Sequence, residues 1–257
     1  MSTTTTDGVL LAGVYLPGPA GLTFVVAHGM THSTAEDSTR QVIAGLARRG
    51  SVLALDFRGH GESEGRSSVG RDEPLDVAAA LTLARRLAAG EPVVLVGFSM
   101  GAAAVLVQAG AGAASAVADT ADTADTADAV VAVSPAARWY IRETTQMRRV
   151  HWLLEHPLGP LVGRWVGVRL SDPWDAVPVS PIEVMAQITA PLLLVHGTAD
   201  RYFSPAHAIS LQRASNGGAE LWIEPGMGHA ESGTSAQLLG RIADWAAAAV
   251  RDQPRPA

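Results

Sequence analysis

A chain of 257 residues, 47% hydrophobic and only 17% charged, is long enough for one sizeable core and too apolar to stay extended in water. Its formal net charge is -6 and all 19 basic residues are arginines scattered along the chain, which argues against a nucleic-acid footprint. With neither lysine nor cysteine, the chain excludes Schiff-base and pyridoxal phosphate chemistry, thiolate nucleophiles, disulfides and Cys-ligated zinc or iron–sulfur sites.

The first residues, MSTTTTDG, carry neither the basic nor the apolar segment of a secretion signal, so a cytoplasmic location is expected. No stretch approaches the ~18 apolar residues of a membrane span. Strands are predicted over 8–16, 22–28, 51–56, 92–98, 129–133, 191–196 and 219–224. Runs such as Val93-Val94-Leu95-Val96 and Leu192-Leu193-Leu194-Val195 are apolar throughout, as strands covered on both faces must be.

Helical patterns fill the intervals. Residues 38–49 place Val42, Ile43 and Leu46 on one stripe, with Gly50 just past the end. Residues 74–89 open on Pro74 and space Leu75, Val77, Ala78, Leu81, Leu83 and Leu87 along a helical face. Helices over 100–110, 205–215 and 234–250 complete an alternation that predicts an α/β fold with a mostly parallel central sheet.

Two segments interrupt it. Residues 117–128 contain a threefold Ala-Asp-Thr repeat, which reads as a solvated helix end or loop. Residues 134–190 are far too long for a simple strand connection and predict a small helical cap, with 1–133 and 191–257 as the core domain. Trp139, Trp152, Trp165 and Trp174 lie in that insertion.

The strongest local signal is Gly97-Phe98-Ser99-Met100-Gly101, a G-x-S-x-G pentapeptide between an apolar strand and a helix. Small residues two before and two after allow a tight turn that projects the serine hydroxyl. A hydroxyl attacks only when a base takes its proton. His229, beyond the strand 219–224, is the candidate base. Asp200, after the strand 191–196, is the candidate acid that orients it, with Asp172 and Asp175 in reserve.

Strand placement, pentapeptide and the order Ser, Asp, His resemble the α/β-hydrolase fold over about residues 8–250. Val25-Val26-Ala27-His28-Gly29-Met30 resembles that family's oxyanion strand and loop. Leu55-Asp56-Phe57-Arg58-Gly59-His60-Gly61-Glu62-Ser63 resembles its D-x-R-G-x-G-x-S turn. The resemblance implies an oxyanion hole built from the backbone amides of Met30 and Met100, and no cofactor. It points to the branch of carboxylesterases, monoacylglycerol-lipase-like enzymes and perhydrolases.

The expected activity is therefore hydrolysis of a small or medium, largely apolar carboxylic ester through an acyl-enzyme. Thioester hydrolysis and acyl transfer use the same machinery, and a non-catalytic binding protein on this fold is the alternative of another class. The histidines show no helical H-x-x-x-H or H-x-H pairing, and no Gly-rich segment has P-loop or dinucleotide spacing after a strand. His28 and His60 read as structural turn residues and His196 as core. Trp139, Trp152 and Trp165 are candidates for the wall of an apolar pocket above Ser99, and Arg142, Arg148 and Arg149 read as a solvated helix face.

Overall fold

A computed structural model describes residues 1–117 and 126–251. The Ala-Asp-Thr repeat falls, over 118–125, outside the described residues. Among the described residues, eight strands form one sheet: β1 (Ser2–Thr4), β2 (Leu10–Leu16), β3 (Thr23–Ala27), β4 (Ser51–Leu55), β5 (Val93–Phe98), β6 (Ala129–Val133), β7 (Leu192–Gly197) and β8 (Ala219–Glu224). Their spatial order is β1-β2-β4-β3-β5-β6-β7-β8. β2 pairs antiparallel with both β1 and β4, and β3 to β8 are mutually parallel.

The helices among the described residues are α1 (Asp37–Leu46), α2 (Glu73–Leu87), α3 (Met100–Val117), α4 (Thr145–Glu155), α5 (Gly159–Trp165), α6 (Pro181–Val184), α7 (Ala206–Ala214), α8 (Ala230–Gly233) and α9 (Ala236–Arg251). This is the α/β-hydrolase fold. Among the described residues no helix is long and apolar enough to cross a membrane.

Alternation along β5 shows how the layers are made. Val93 and Leu95 face a core shared with Val77 and Leu81 of α2 and with Val105 of α3. Val94, Val96 and Phe98 face the opposite core, with Val42 and Leu46 of α1 and Leu239 and Ile242 of α9. Every residue of β3 to β7 is buried, which is why these strands are continuously apolar. Covering both faces leaves the carboxyl edge of the sheet as the place where loops gather, and ligand sites in such sheets lie there.

β1 is a strand that the sequence reading did not expect. Ser2, Thr3 and Thr4 pair with Ala12, Leu11 and Leu10 at the sheet's edge, where polar side chains are tolerated and an alternating apolar signal is not needed. Between β6 and β7 the chain makes α4, α5 and α6. Of these, α6 packs on α3 and α7, and Met185 just beyond it is fully buried in the main core.

Candidate active site

Ser99 stands at the junction of β5 and α3 in the left-handed region, with φ of 52°. For a residue with a Cβ this costs about 1–2 kcal/mol. Two hydrogen bonds hold it there: its N–H donates to Val133 C=O at 3.0 Å, and its C=O accepts from Ala103 N–H at 3.1 Å. The flanking glycines are required by contact distance. A Cβ on Gly97 would lie 2.4 Å from the Gly101 carbonyl oxygen, and one on Gly101 would lie 2.2 Å from that of Ala27.

His229 is carried by the turn after β8. Its Nε2 lies 2.8 Å from Ser99 Oγ and its Nδ1 lies 2.7 Å from Asp200 Oδ2. The imidazole stacks on Tyr202 with ring centroids 4.4 Å apart and meets the edge of Phe203 at 5.4 Å. With two aromatic neighbours and two hydrogen bonds, the ring is fixed in both plane and rotation. The residue after it, Ala230, is also left-handed (φ 49°), and its amide donates to Ser134 Oγ at 3.1 Å.

The Asp200 carboxylate is fully buried. Its Oδ1 accepts the amides of Tyr202 at 2.8 Å and Phe203 at 3.1 Å, leaving Oδ2 for the imidazole. Burial pushes its pKa up, but the bonds from His229 and the two amides outweigh that penalty and hold it below 3.8. His196 lies beneath, Nε2–H donating to Phe203 C=O at 3.0 Å, and burial lowers its pKa. The reserve acids Asp172 and Asp175 line a different cavity.

The loop after β3 is organised by two histidines. Phe57 N–H donates to His28 Nε2 at 3.0 Å, which leaves the ring proton on Nδ1, 2.8 Å from the Gly29 carbonyl. His32 N–H reaches the same oxygen at 3.1 Å. In a trans peptide the C=O and the following N–H point in opposite directions, so anchoring Gly29 C=O aims Met30 N–H. His60 Nε2 then donates to Met30 C=O at 2.5 Å. Neither Met30 N–H nor Met100 N–H has an acceptor among the described residues, and Met100 opens α3, where the helix dipole is positive.

A cavity of about 190 Å³ lies over Ser99 and His229, bounded by Met30, Trp139, Leu154 and Trp174. A family model described as the alpha/beta hydrolase family matches residues 24–238. The chain belongs to the alpha/beta hydrolase family.

This α/β hydrolase is 28% identical over 214 residues to the uncharacterized protein YqkD of Bacillus subtilis. The match covers 82% of this chain and 66% of that protein, so the chain spans slightly less than two thirds of the relative's length. Esterase Pf2001 of Pyrococcus furiosus superposes with a TM-score of 0.74 at 23% identity, over 97% of this chain and 89% of the other. The esterase RhEst1 from Rhodococcus sp. ECU1013 gives 0.68 at 20% identity over 99% of both. Est1E from Butyrivibrio proteoclasticus, solved with ferulic acid bound, gives 0.63 at 18% identity, over 97% of this chain and 99% of the other. These likenesses are likenesses of fold.

The segment between β6 and β7 corrects part of the sequence reading. Trp139 borders the cavity, with Nε1–H donating to Val179 C=O at 2.8 Å. Trp152 and Trp165 do not line it. Helix α4 buries Met147 and His151, one turn apart, so the adjacent Trp152 points outward and stacks on His156. Helix α5 buries its glycines, Gly159 and Gly163, which leaves Trp165 87% exposed. Arg142 pairs with Glu155 on an exposed face.

Among the cavity residues not singled out from sequence as wall residues are Val69 and Glu231. Val69 is left-handed (φ 51°), and its amide is held by the buried carboxylate of Glu73, which also accepts the amides of Ser68 and Gly70. Glu231 follows His229 by two positions, a spacing that could have drawn attention to it.

Proposed function

We propose that this α/β hydrolase is a serine esterase in which Ser99 is the nucleophile, His229 the general base and Asp200 the acid that orients it. The observation that carries the reading is the continuous hydrogen-bonded path Asp200–His229–Ser99, with links of 2.7 and 2.8 Å. Ser99 Oγ attacks the ester carbonyl as its proton passes to His229 Nε2. Asp200, already ionised, stabilises the imidazolium through Nδ1–H. The amides of Met30 and Met100 receive the oxyanion, each typically worth about 3–4 kcal/mol in the transition state. His229 then protonates the leaving alcohol, and water enters by the same route to release the acid.

Residues 134–190 serve in this reading as a cap that closes the acyl side of the site. The small, mostly apolar cavity supports a small or medium acyl group.

The test is direct. Wild-type protein is expected to be labelled at Ser99 by a fluorophosphonate and to hydrolyse p-nitrophenyl esters, and Ser99→Ala to lose both. Turnover retained by Ser99→Ala, or labelling at another residue, would overturn the assignment.

A further inference from the structure

The turn that delivers His229 delivers a second side chain to the same cavity. Glu231 is only 3% exposed, and its Oε1 accepts Gly29 N–H at 2.6 Å. Among the described residues its buried Oε2 has no hydrogen-bond partner and no arginine pairs with the carboxylate. A Cβ built on Gly29 would lie 3.3 Å from Glu231 Oε2 and 3.5 Å from Ser99 Cβ. The carboxylate therefore lies flat against the glycine that precedes Met30, one side-chain width from the nucleophile.

Nothing in the packing requires an acid here. A buried carboxylate without a counter-ion opposes folding, so stability alone would favour a neutral residue. Nor does Glu231 cap α8, because its side chain leaves that short helix for the loop after β3, across the cavity. The left-handed Ala230 between His229 and Glu231 is held by Ser134, and from that hinge the two side chains reach Ser99 and Gly29.

We propose, resting on the serine-esterase reading above, that Glu231 is a positioning residue of the reaction. It clamps the loop carrying the Met30 amide to the turn carrying the base. Two anchors then fix the oxyanion loop: His28 holds Gly29 C=O from below, and Glu231 holds Gly29 N–H from the histidine side. Engaged by Glu231, the Gly29 amide is withheld from the oxyanion, which leaves Met30 and Met100 as its donors. Base and oxyanion donor keep their spacing as substrate enters.

The experiment compares wild type, Glu231→Gln and Glu231→Ala by the second-order rate of Ser99 phosphonylation, by kcat and KM for p-nitrophenyl butyrate, and by Tm. Glutamine keeps an acceptor oxygen of the same reach, whereas alanine removes it. Glu231→Ala is expected to lose about 10²-fold in kcat with KM changed less than about threefold, as for loss of one oxyanion donor, and Glu231→Gln to recover most of that loss. Glu231→Asp, one methylene too short to hold Gly29 N–H from the same backbone, is expected to lose kcat in the same direction, by at least about tenfold. If Glu231→Ala fails to fold, Glu231→Gln and Glu231→Asp carry the comparison, and wild-type kcat in Glu231→Asp overturns the clamp.

A wild type that is labelled at Ser99, with Glu231→Ala labelled equally fast, overturns this proposal alone. A wild type that is not labelled overturns the serine-esterase reading and the clamp with it.

Discussion

Asp200 meets His229 with one carboxylate oxygen only: Oδ2 takes the imidazole at 2.7 Å while Oδ1 is committed to the amides of Tyr202 and Phe203. An asparagine in its place keeps Oδ1 on those amides and turns its NH₂ toward Nδ1. The ring then adopts the opposite tautomer, with the proton on Nε2, and cannot take one from Ser99. Asp200→Asn is expected to lower kcat by about 10⁴-fold with the fold intact, as in the trypsin-type case. Steady-state kinetics beside a circular dichroism melt check this, and a loss under tenfold would contradict it.

Chain-length selectivity follows from the walls. The cavity of about 190 Å³ is smaller than most ligand pockets, which start near ~300 Å³. Acetyl and butyryl esters should exceed octanoyl esters by at least about tenfold in kcat/KM. Val69, His151, Leu154 and Trp174 also line a neighbouring cavity of about 500 Å³. Leu154→Ala should join the two and move the optimum to longer chains; an unmoved optimum would show that Leu154 is not the partition.

Two glycines with opposite surroundings give a paired stability test. A Cβ on Gly101 meets backbone 2.2 Å away, which no rotamer relieves, whereas one on Gly240, within α9, meets nothing within 4 Å. Gly101→Ala is expected to cost at least about 3 kcal/mol or abolish soluble expression. Gly240→Ala is expected to add about 0.5–1 kcal/mol through helix propensity. Urea denaturation measures both, and equal effects would refute the contact argument.

Acid should weaken the fold as its buried histidines become charged. Burial, first among the causes, lowers the pKa of His28, His60, His196 and His207 below 6.5. In the unfolded chain each titrates near about 6.5, so below that pH the unfolded state binds more protons. The stability due to neutral imidazoles is thus complete above the unfolded pKa and is lost as pH falls toward the lower folded values. Each contributes a slope of up to about 1.4 kcal/mol per pH unit. The urea midpoint should fall between pH 7.5 and 5, and less steeply in His28→Gln; equal midpoints would contradict this.

The parallel strands and the Ser, Asp, His order were legible because each leaves a signal in one dimension. Strands covered on both faces are continuously apolar, and the three side chains sit where such strands end. β1 was not legible, since three polar residues at a sheet edge need no apolar pattern. The outward Trp152 and Trp165 were assigned to the pocket wall for a different reason. Which side of α4 and α5 faces the cavity depends on where Met147, His151, Gly159 and Gly163 pack, and all four tryptophans are equally apolar in sequence. Glu231 left no periodic trace because its place depends on one hydrogen bond to a residue 202 positions away.

The register of β6 against β7 has a consequence for how this molecule can change. Val133 pairs with Val195, so the polypeptide departs and returns on adjacent rails, about 4.8 Å apart. Lengthening or trimming what lies between alters the closure entropy only logarithmically, roughly 0.6 kcal/mol per doubling. Ser99, His229 and Asp200 all lie outside this stretch, so changes of length confined to its α4–α5 part, away from Ser134 and the core-buried Met185, leave those three side chains where they are.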